Sequence, residues 1–128
     1  MILLDTNIFI EVFKGNAKII DTVCATELEK LSLSSITAME LYYGALNKLE
    51  LQRIRKHLGA FRIVHLSATI SETATQLIER YAKSHNLQIP DALIAATALA
   101  TQSELLTLNV NDFKFIHGLS LKAPTIRS

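Results

Sequence analysis

Met1-Ile2-Leu3-Leu4-Asp5-Thr6-Asn7 sets four apolar residues directly against three helix-starting ones. The apolar run is short, continuous and free of turn residues, so residues 1–4 read as a buried strand. Aspartate, threonine and asparagine all cap helices, because their side-chain oxygens accept from backbone N–H groups that lack a partner in the first turn. A helix over residues 8–14 follows, closed by Gly15-Asn16.

The same alternation continues down the chain. Residues 17–30 read as a second helical stretch and residues 31–36 as a second strand. Thr37 starts a helix running to about Leu46, with a break near Gly44. A basic helical stretch covers residues 50–58, and residues 62–66 form a third strand in which Ile63, Val64 and Leu66 are partly buried. Residues 67–86 are helical, with Leu77, Ile78 and Tyr81 at core spacing. Pro90 opens a helix over residues 91–101, since its missing N–H costs nothing there. That helix is alanine-rich and apolar nearly all round, which predicts burial. Residues 104–108 form a fourth strand, residues 109–112 a turn, and residues 119–121 a short fifth strand. Strands alternating with helices give an α/β fold, a parallel sheet with helices on both faces. No repeat, linker or low-complexity segment divides it, so one domain over residues 1–128 is expected.

Composition narrows the class. The chain has 128 residues, 49% of them apolar and 20% charged, enough to bury a core without disulfides. Its formal net charge of +1 neither requires nor excludes nucleic acid, because local patches matter more than the sum. The single cysteine, Cys24, can form no internal disulfide, which fits a reducing cytoplasm, and it reads as a small buried apolar residue. Residues 1–4 are too short for a signal peptide and meet Asp5 at once. No apolar run approaches the roughly 18 residues of a membrane helix.

In an open parallel sheet, ligands bind beyond the carboxyl ends of the strands, where strand order reverses. Asp5 directly follows the first strand, Glu40 lies one turn into the helix after the second, and Asp91 starts the alanine-rich helix. Asn109 follows the fourth strand, with Asp112 close behind. Each also has an ordinary structural explanation. Asp5 caps a helix, Thr37-Ala38-Met39-Glu40 fits a capping box, Asp91 suits a helix dipole, and Asn109 and Asp112 form turns. Together they point further. Carboxylates brought close repel one another, and a divalent cation removes that cost. Oxygen-only donors suit Mg²⁺ or Mn²⁺, which keep waters able to attack a phosphodiester.

Asp5-Thr6-Asn7, Ser35-Ile36-Thr37-Ala38-Met39-Glu40-Leu41, Pro90-Asp91-Ala92-Leu93-Ile94-Ala95-Ala96 and Thr107-Leu108-Asn109-Val110-Asn111-Asp112-Phe113 occur in this order across the whole chain. As an ordered set they resemble the PIN-domain family, and more narrowly its VapC-type toxins. The resemblance implies a PIN-like three-layer sandwich with a five-stranded parallel sheet. It implies Mg²⁺- or Mn²⁺-dependent RNA cleavage, a homodimer and a cognate VapB-type antitoxin. By position, Asp5, Glu40 and Asp91 match the metal-binding acids, and Thr6 and Thr107 match hydroxyl positions beside them. The family's fourth acidic position falls on Asn109, an amide here, with Asp112 the nearby acid.

Two other functions fit parts of the pattern. A haloacid-dehalogenase-type phosphatase also starts with a strand and an aspartate, but needs a second aspartate where Asn7 stands. A PIN-fold binding module that has lost its metal would explain Asn109. His57, His65, His85 and His117 show no ligand spacing and read as structural or exposed. Lys48, Arg53, Arg55, Lys56 and His57 form a basic stretch, a solvated helix face whose other reading is phosphate contact; Lys14 is a further candidate for such contact. Met39, Tyr42, Leu46 and Leu49 recur at helical spacing and read as core, or else as a groove for an apolar partner segment. Gly44, one turn beyond Glu40, leaves room for substrate.

Overall fold

Leu3 and Leu4 point to opposite faces of their strand, and both are fully buried. Leu3 joins one apolar cluster and Leu4 another, so the strand must be covered on both sides. The computed structural model, which describes residues 1–124, shows how. Five parallel strands, β1 (Ile2–Leu4), β2 (Leu31–Ser34), β3 (Arg62–Val64), β4 (Glu104–Leu106) and β5 (Leu121–Lys122), form one sheet in the order β3-β2-β1-β4-β5. Among the described residues there are six α-helices: α1 (Thr6–Phe13), α2 (Ala17–Cys24), α3 (Ser35–Tyr43), α4 (Lys48–Leu58), α5 (Ala68–His85) and α6 (Ile89–Ala100). Core residues of α1–α4 pack with Leu4, Leu33 and Leu106, and those of α5 and α6 with Leu3 and Leu105. The three-layer α/β arrangement expected from the alternation is the one found, and α6 is buried along Ala92 and from Ile94 to Ala98.

The chain leaves β1 toward β2 and β3, then crosses back through α5 and α6 to lay β4 on the other side of β1. Strand order therefore reverses between β1 and β4, and the crevice of this fold opens there.

Several boundaries differ from those read in the sequence. β2 ends at Ser34, because Ser34 caps α3 two residues before Ile36, its hydroxyl accepting from Ile36 N at 3.1 Å. Thr37 is thus one turn inside the helix and fully buried, and its capping box with Glu40 does not form. α2 stops at Cys24, and a 3₁₀ turn (Leu28–Lys30) leads into β2. β3 and β4 end two residues early, which leaves Thr107 just past its strand. Cys24 is exposed at the last position of α2, whose buried contact is Ile19. α3 ends at Tyr43, so the apolar stripe beyond it loses its helical register. Met39, Leu46 and Leu49 are exposed, while Tyr42 packs on the core.

Candidate active site

Asp5 leaves β1 in extended conformation and caps α1, its Oδ1 accepting from Thr6 N at 2.8 Å. Its other oxygen accepts from the hydroxyl of Thr107 at 2.7 Å, across the β1–β4 crevice. Asp5 N continues the ladder by donating to Leu106 O. Thr107 is fully buried, and its Oγ1 in turn accepts from Asn109 N at 3.0 Å. Asn7 ties the same loop down: its Oδ1 accepts from Leu108 N, and its Nδ2 lies 3.4 Å from Thr107 Oγ1. One hydroxyl therefore links the first residue after β1 to the turn after β4.

Thr6 makes the second link. Its hydroxyl donates to Glu40 Oε1 at 2.7 Å and lies 3.1 Å from Thr37 Oγ1. Glu40 is exposed on α3, so this bond turns a mobile side chain toward the end of β1. Asp91 sits in the first turn of α6, where the dipole of a helix N-terminus favours negative charge. Among the described residues, no hydrogen bond reaches its carboxylate. Asp112 is exposed and closes the 3₁₀ turn (Val110–Asp112) after β4, while Asn109 stands at the start of that turn.

The four acids feel one another. Burial is the largest cause that raises the pKa of Asp91, to about 6, and the charges of Asp5, Asp112 and Glu40 add to it. Burial likewise raises Asp5; hydrogen bonds from Thr107 and Thr6 N oppose this, and the Glu40 and Asp112 charges reinforce it. Ion pairs join Lys14 to Glu11 and Lys30 to Glu27. Among the described residues, no three His, Cys, Asp or Glu side chains close to metal-holding spacing. The acids come within electrostatic reach of one another without forming a closed cage among the described residues.

This electrostatic strain makes stability pH-dependent. An acid whose pKa is higher in the folded state than its ordinary 3.8 favours folding while protonated. The contribution of Asp91 is whole below about pH 4 and is lost as pH rises toward about 6. The difference in unfolding free energy between the parent and Asp91→Asn should therefore fall over that window and then level off. Urea midpoints at pH 4, 5, 6 and 7 measure it, and parallel profiles would refute it.

The sequence marks Asn7 and Thr37 only as helix starters. Their partners here are distant in sequence, Thr107 lying 100 residues from Asn7, so no local signal foretells those bonds.

Comparison with known proteins identifies relatives of this fold. The PIN domain family model matches residues 2–116. Ribonuclease VapC10 of Mycobacterium tuberculosis is 32% identical over 121 residues, covering 93% of this chain and 90% of that protein. A toxin–antitoxin complex from Klebsiella pneumoniae has a chain 35% identical, with a TM-score of 0.83 and 98% of each chain covered. VapBC2 from Rickettsia felis, bound to a DNA fragment from its promoter, has one 28% identical, with a TM-score of 0.80, covering 96% of this chain and 98% of that one.

Proposed function

The chain belongs to the PIN-domain family, and from that premise we propose that it is a metal-dependent endoribonuclease, the toxin of a toxin–antitoxin pair. The observation that supports this reading is that Asp5 at the end of β1, Glu40 on α3 and Asp112 in the turn after β4 all act on the charge of Asp91 in α6, in a fold whose strand order reverses between β1 and β4. The curated relative is a ribonuclease, and the structural relatives are toxin–antitoxin complexes, which supports an RNA substrate and a VapB-type antitoxin partner. The phosphatase alternative has no support from the family match.

The donor set suits a hard cation. Every candidate ligand is a carboxylate oxygen: Asp5, Glu40, Asp91 and, after the turn, Asp112. Mg²⁺ typically takes only one or two carboxylates and keeps its waters, so a few carboxylates suffice to hold it. When bound, such a cation supplies Lewis acidity and a water of lowered pKa. The chain's own residues do the rest. Thr107 and Thr6 N hold both oxygens of Asp5, and the Thr6 hydroxyl holds Glu40, so the two charges are oriented before substrate arrives. Among the described residues no hydrogen bond holds the charge of Asp91, and burial with three neighbouring carboxylates disfavours it, so a bound cation would be its counter-charge. The test is cleavage of a mixed RNA by the parent protein with Mg²⁺ or Mn²⁺ against the same reaction in chelator. Equal cleavage in both, or none in either, rejects the reading.

We also propose a homodimer through the exposed apolar face around Met39, Tyr43 and Ile89, at 57%, 94% and 66% exposure. Large exposed apolar side chains grouped together mark an interaction surface, and two-fold dimers are the commonest soluble assemblies. Light scattering at micromolar concentration should report a dimer for the parent and a monomer for Tyr43→Lys combined with Ile89→Lys. A parent that scatters as a monomer refutes it.

A further inference from the structure

We propose that the groove between α1, α3 and α4 is a substrate subsite, in which single-stranded RNA lays one base against Phe13 and His57 and one phosphate against Arg53. The inference rests on the ribonuclease reading and deepens it by assigning where the strand runs beyond the carboxylates. The groove encloses about 610 Å³ and includes Glu40 in its wall, so it is continuous with the acid site. That volume falls within the roughly 300–1,000 Å³ of sites that hold small organic molecules, and a nucleotide is of that size.

Helical spacing builds the groove. Residues four apart share a helix face, and Glu40 and Gly44 on α3, with Arg53 and His57 on α4, all line it. Glu40 thus belongs to two systems, bonded to Thr6 on one side and facing the groove on the other. Gly44 has φ near −78°, which any residue adopts. A Cβ there would touch only carbonyl oxygens of its own helix, at 3.4 and 3.8 Å. Its backbone therefore does not demand glycine, and what a side chain would take from the molecule is groove space.

The wall sets charged and aromatic side chains that suit RNA among apolar ones, Ile10, Leu41 and Ile54. Phe13 and His57 pair with ring centroids 5.6 Å apart at 45°, and Phe13 remains 37% exposed. An exposed aromatic ring beside cationic groups is how single strands are held without reading sequence, because every base offers a π-face. Arg53 lies one turn from His57, and its planar guanidinium matches a phosphate. Lys14 also lines the groove, and its exposed pair with Glu11 at 3.6 Å holds it only weakly. Glu50 is the opposing charge besides Glu40, and it stands in the first turn of α4, where the helix dipole offsets it.

The test separates binding from cleavage. A fluorescein-labelled, mixed-sequence 12-nucleotide RNA is titrated in chelator at low salt and followed by anisotropy. The proteins are the parent, Phe13→Leu, Arg53→Gln and Gly44→Leu. Phe13→Leu keeps apolar bulk but removes the ring, and Gly44→Leu fills the groove beside Glu40 while leaving every acid in the sequence. Each should weaken binding at least about fivefold, with an unchanged thermal midpoint. Arg53→Gln should also lower the slope of log affinity against log salt by about 0.7. A parent that binds no RNA, or three variants that bind like the parent, overturns the proposal. So does loss of affinity for the cognate antitoxin alone, which would make the groove a protein site. Cleavage with Mg²⁺, measured separately on the parent, tests the ribonuclease reading and leaves the binding result standing on its own.

Discussion

Asp91→Asn should lower RNA cleavage by at least about a hundredfold and leave the fold at least as stable as the parent above pH 6. Losing even an outer partner of a metal ligand typically costs about 10–100-fold, so a directly acting acid should cost no less. The structural side is distinctive. No hydrogen bond among the described residues reaches the Asp91 carboxylate, while burial and three neighbouring carboxylates disfavour its charge. Asparagine keeps the shape and removes the repulsion. Asp5→Asn should also lose activity, but at a cost in stability of about 1–3 kcal/mol. Asp5 uses one oxygen on Thr6 N and the other on Thr107 Oγ1, and an amide presents a donor where Thr107 presents another. Cleavage assays with Mg²⁺ and thermal unfolding of both variants check this. Full activity in Asp91→Asn would remove Asp91 from the chemistry. A large loss of stability there would make it a structural residue.

Phe113→Ala should destabilise the protein by about 3–5 kcal/mol, a large share of the stability of a domain this size. Phe113 is 1% exposed and sits in the cluster that joins Leu3 and Leu105 to α5 and α6. It directly follows Asp112, and its N–H donates to Val110 O at 3.1 Å while its carbonyl accepts from Ile116 N at 3.0 Å. The ring therefore anchors the turn that carries the fourth acid. Its removal opens a cavity and frees that turn, so the charge of Asp112 should press less on Asp91, whose pKa should fall. Urea unfolding gives the first number, and NMR titration of Asp91 gives the second. Phe113→Leu, which fills most of the space, should cost much less. A loss below about 1 kcal/mol for Phe113→Ala would show that the turn is held by its backbone alone.

The acids themselves were legible because they stand where local signals change. Asp5 ends an apolar run, and Asp91 follows a proline that opens an alanine-rich helix. Sheet order was not legible in that way. Alternation of strands and helices requires parallel pairing, yet it does not say that β1 lies between β2 and β4. The start of α3 shows the limit of local rules. Ser34 and Thr37 are both good caps, and the helix starts after Ser34, with Thr37 and Leu41 buried and Glu40 outside. The face of Met39, Leu46 and Leu49 failed as a core prediction for two reasons: α3 buries the side of Thr37, Ala38 and Leu41 and turns Met39 outward, and it ends at Tyr43, so helical spacing no longer relates Leu46 and Leu49 to it.

The α/β class, the order of strands and helices, and the acids beside strand ends and helix starts were all readable in the sequence, although the second helix was read six residues too long. Those follow from period, propensity and capping, which act over a few residues and leave their mark in order along the chain. Only the tertiary structure decided that Thr107 holds Asp5 across 102 residues and that Thr6 holds Glu40 across 34. It also decided that Phe13, Gly44 and Arg53 face one groove. A hydroxyl donates to whichever acceptor packing brings within about 3 Å, and no local pattern encodes that partner. The sequence supplied the charged groups; the packing of α1, α3 and α6 around the reversal between β1 and β4 set which of them face one another.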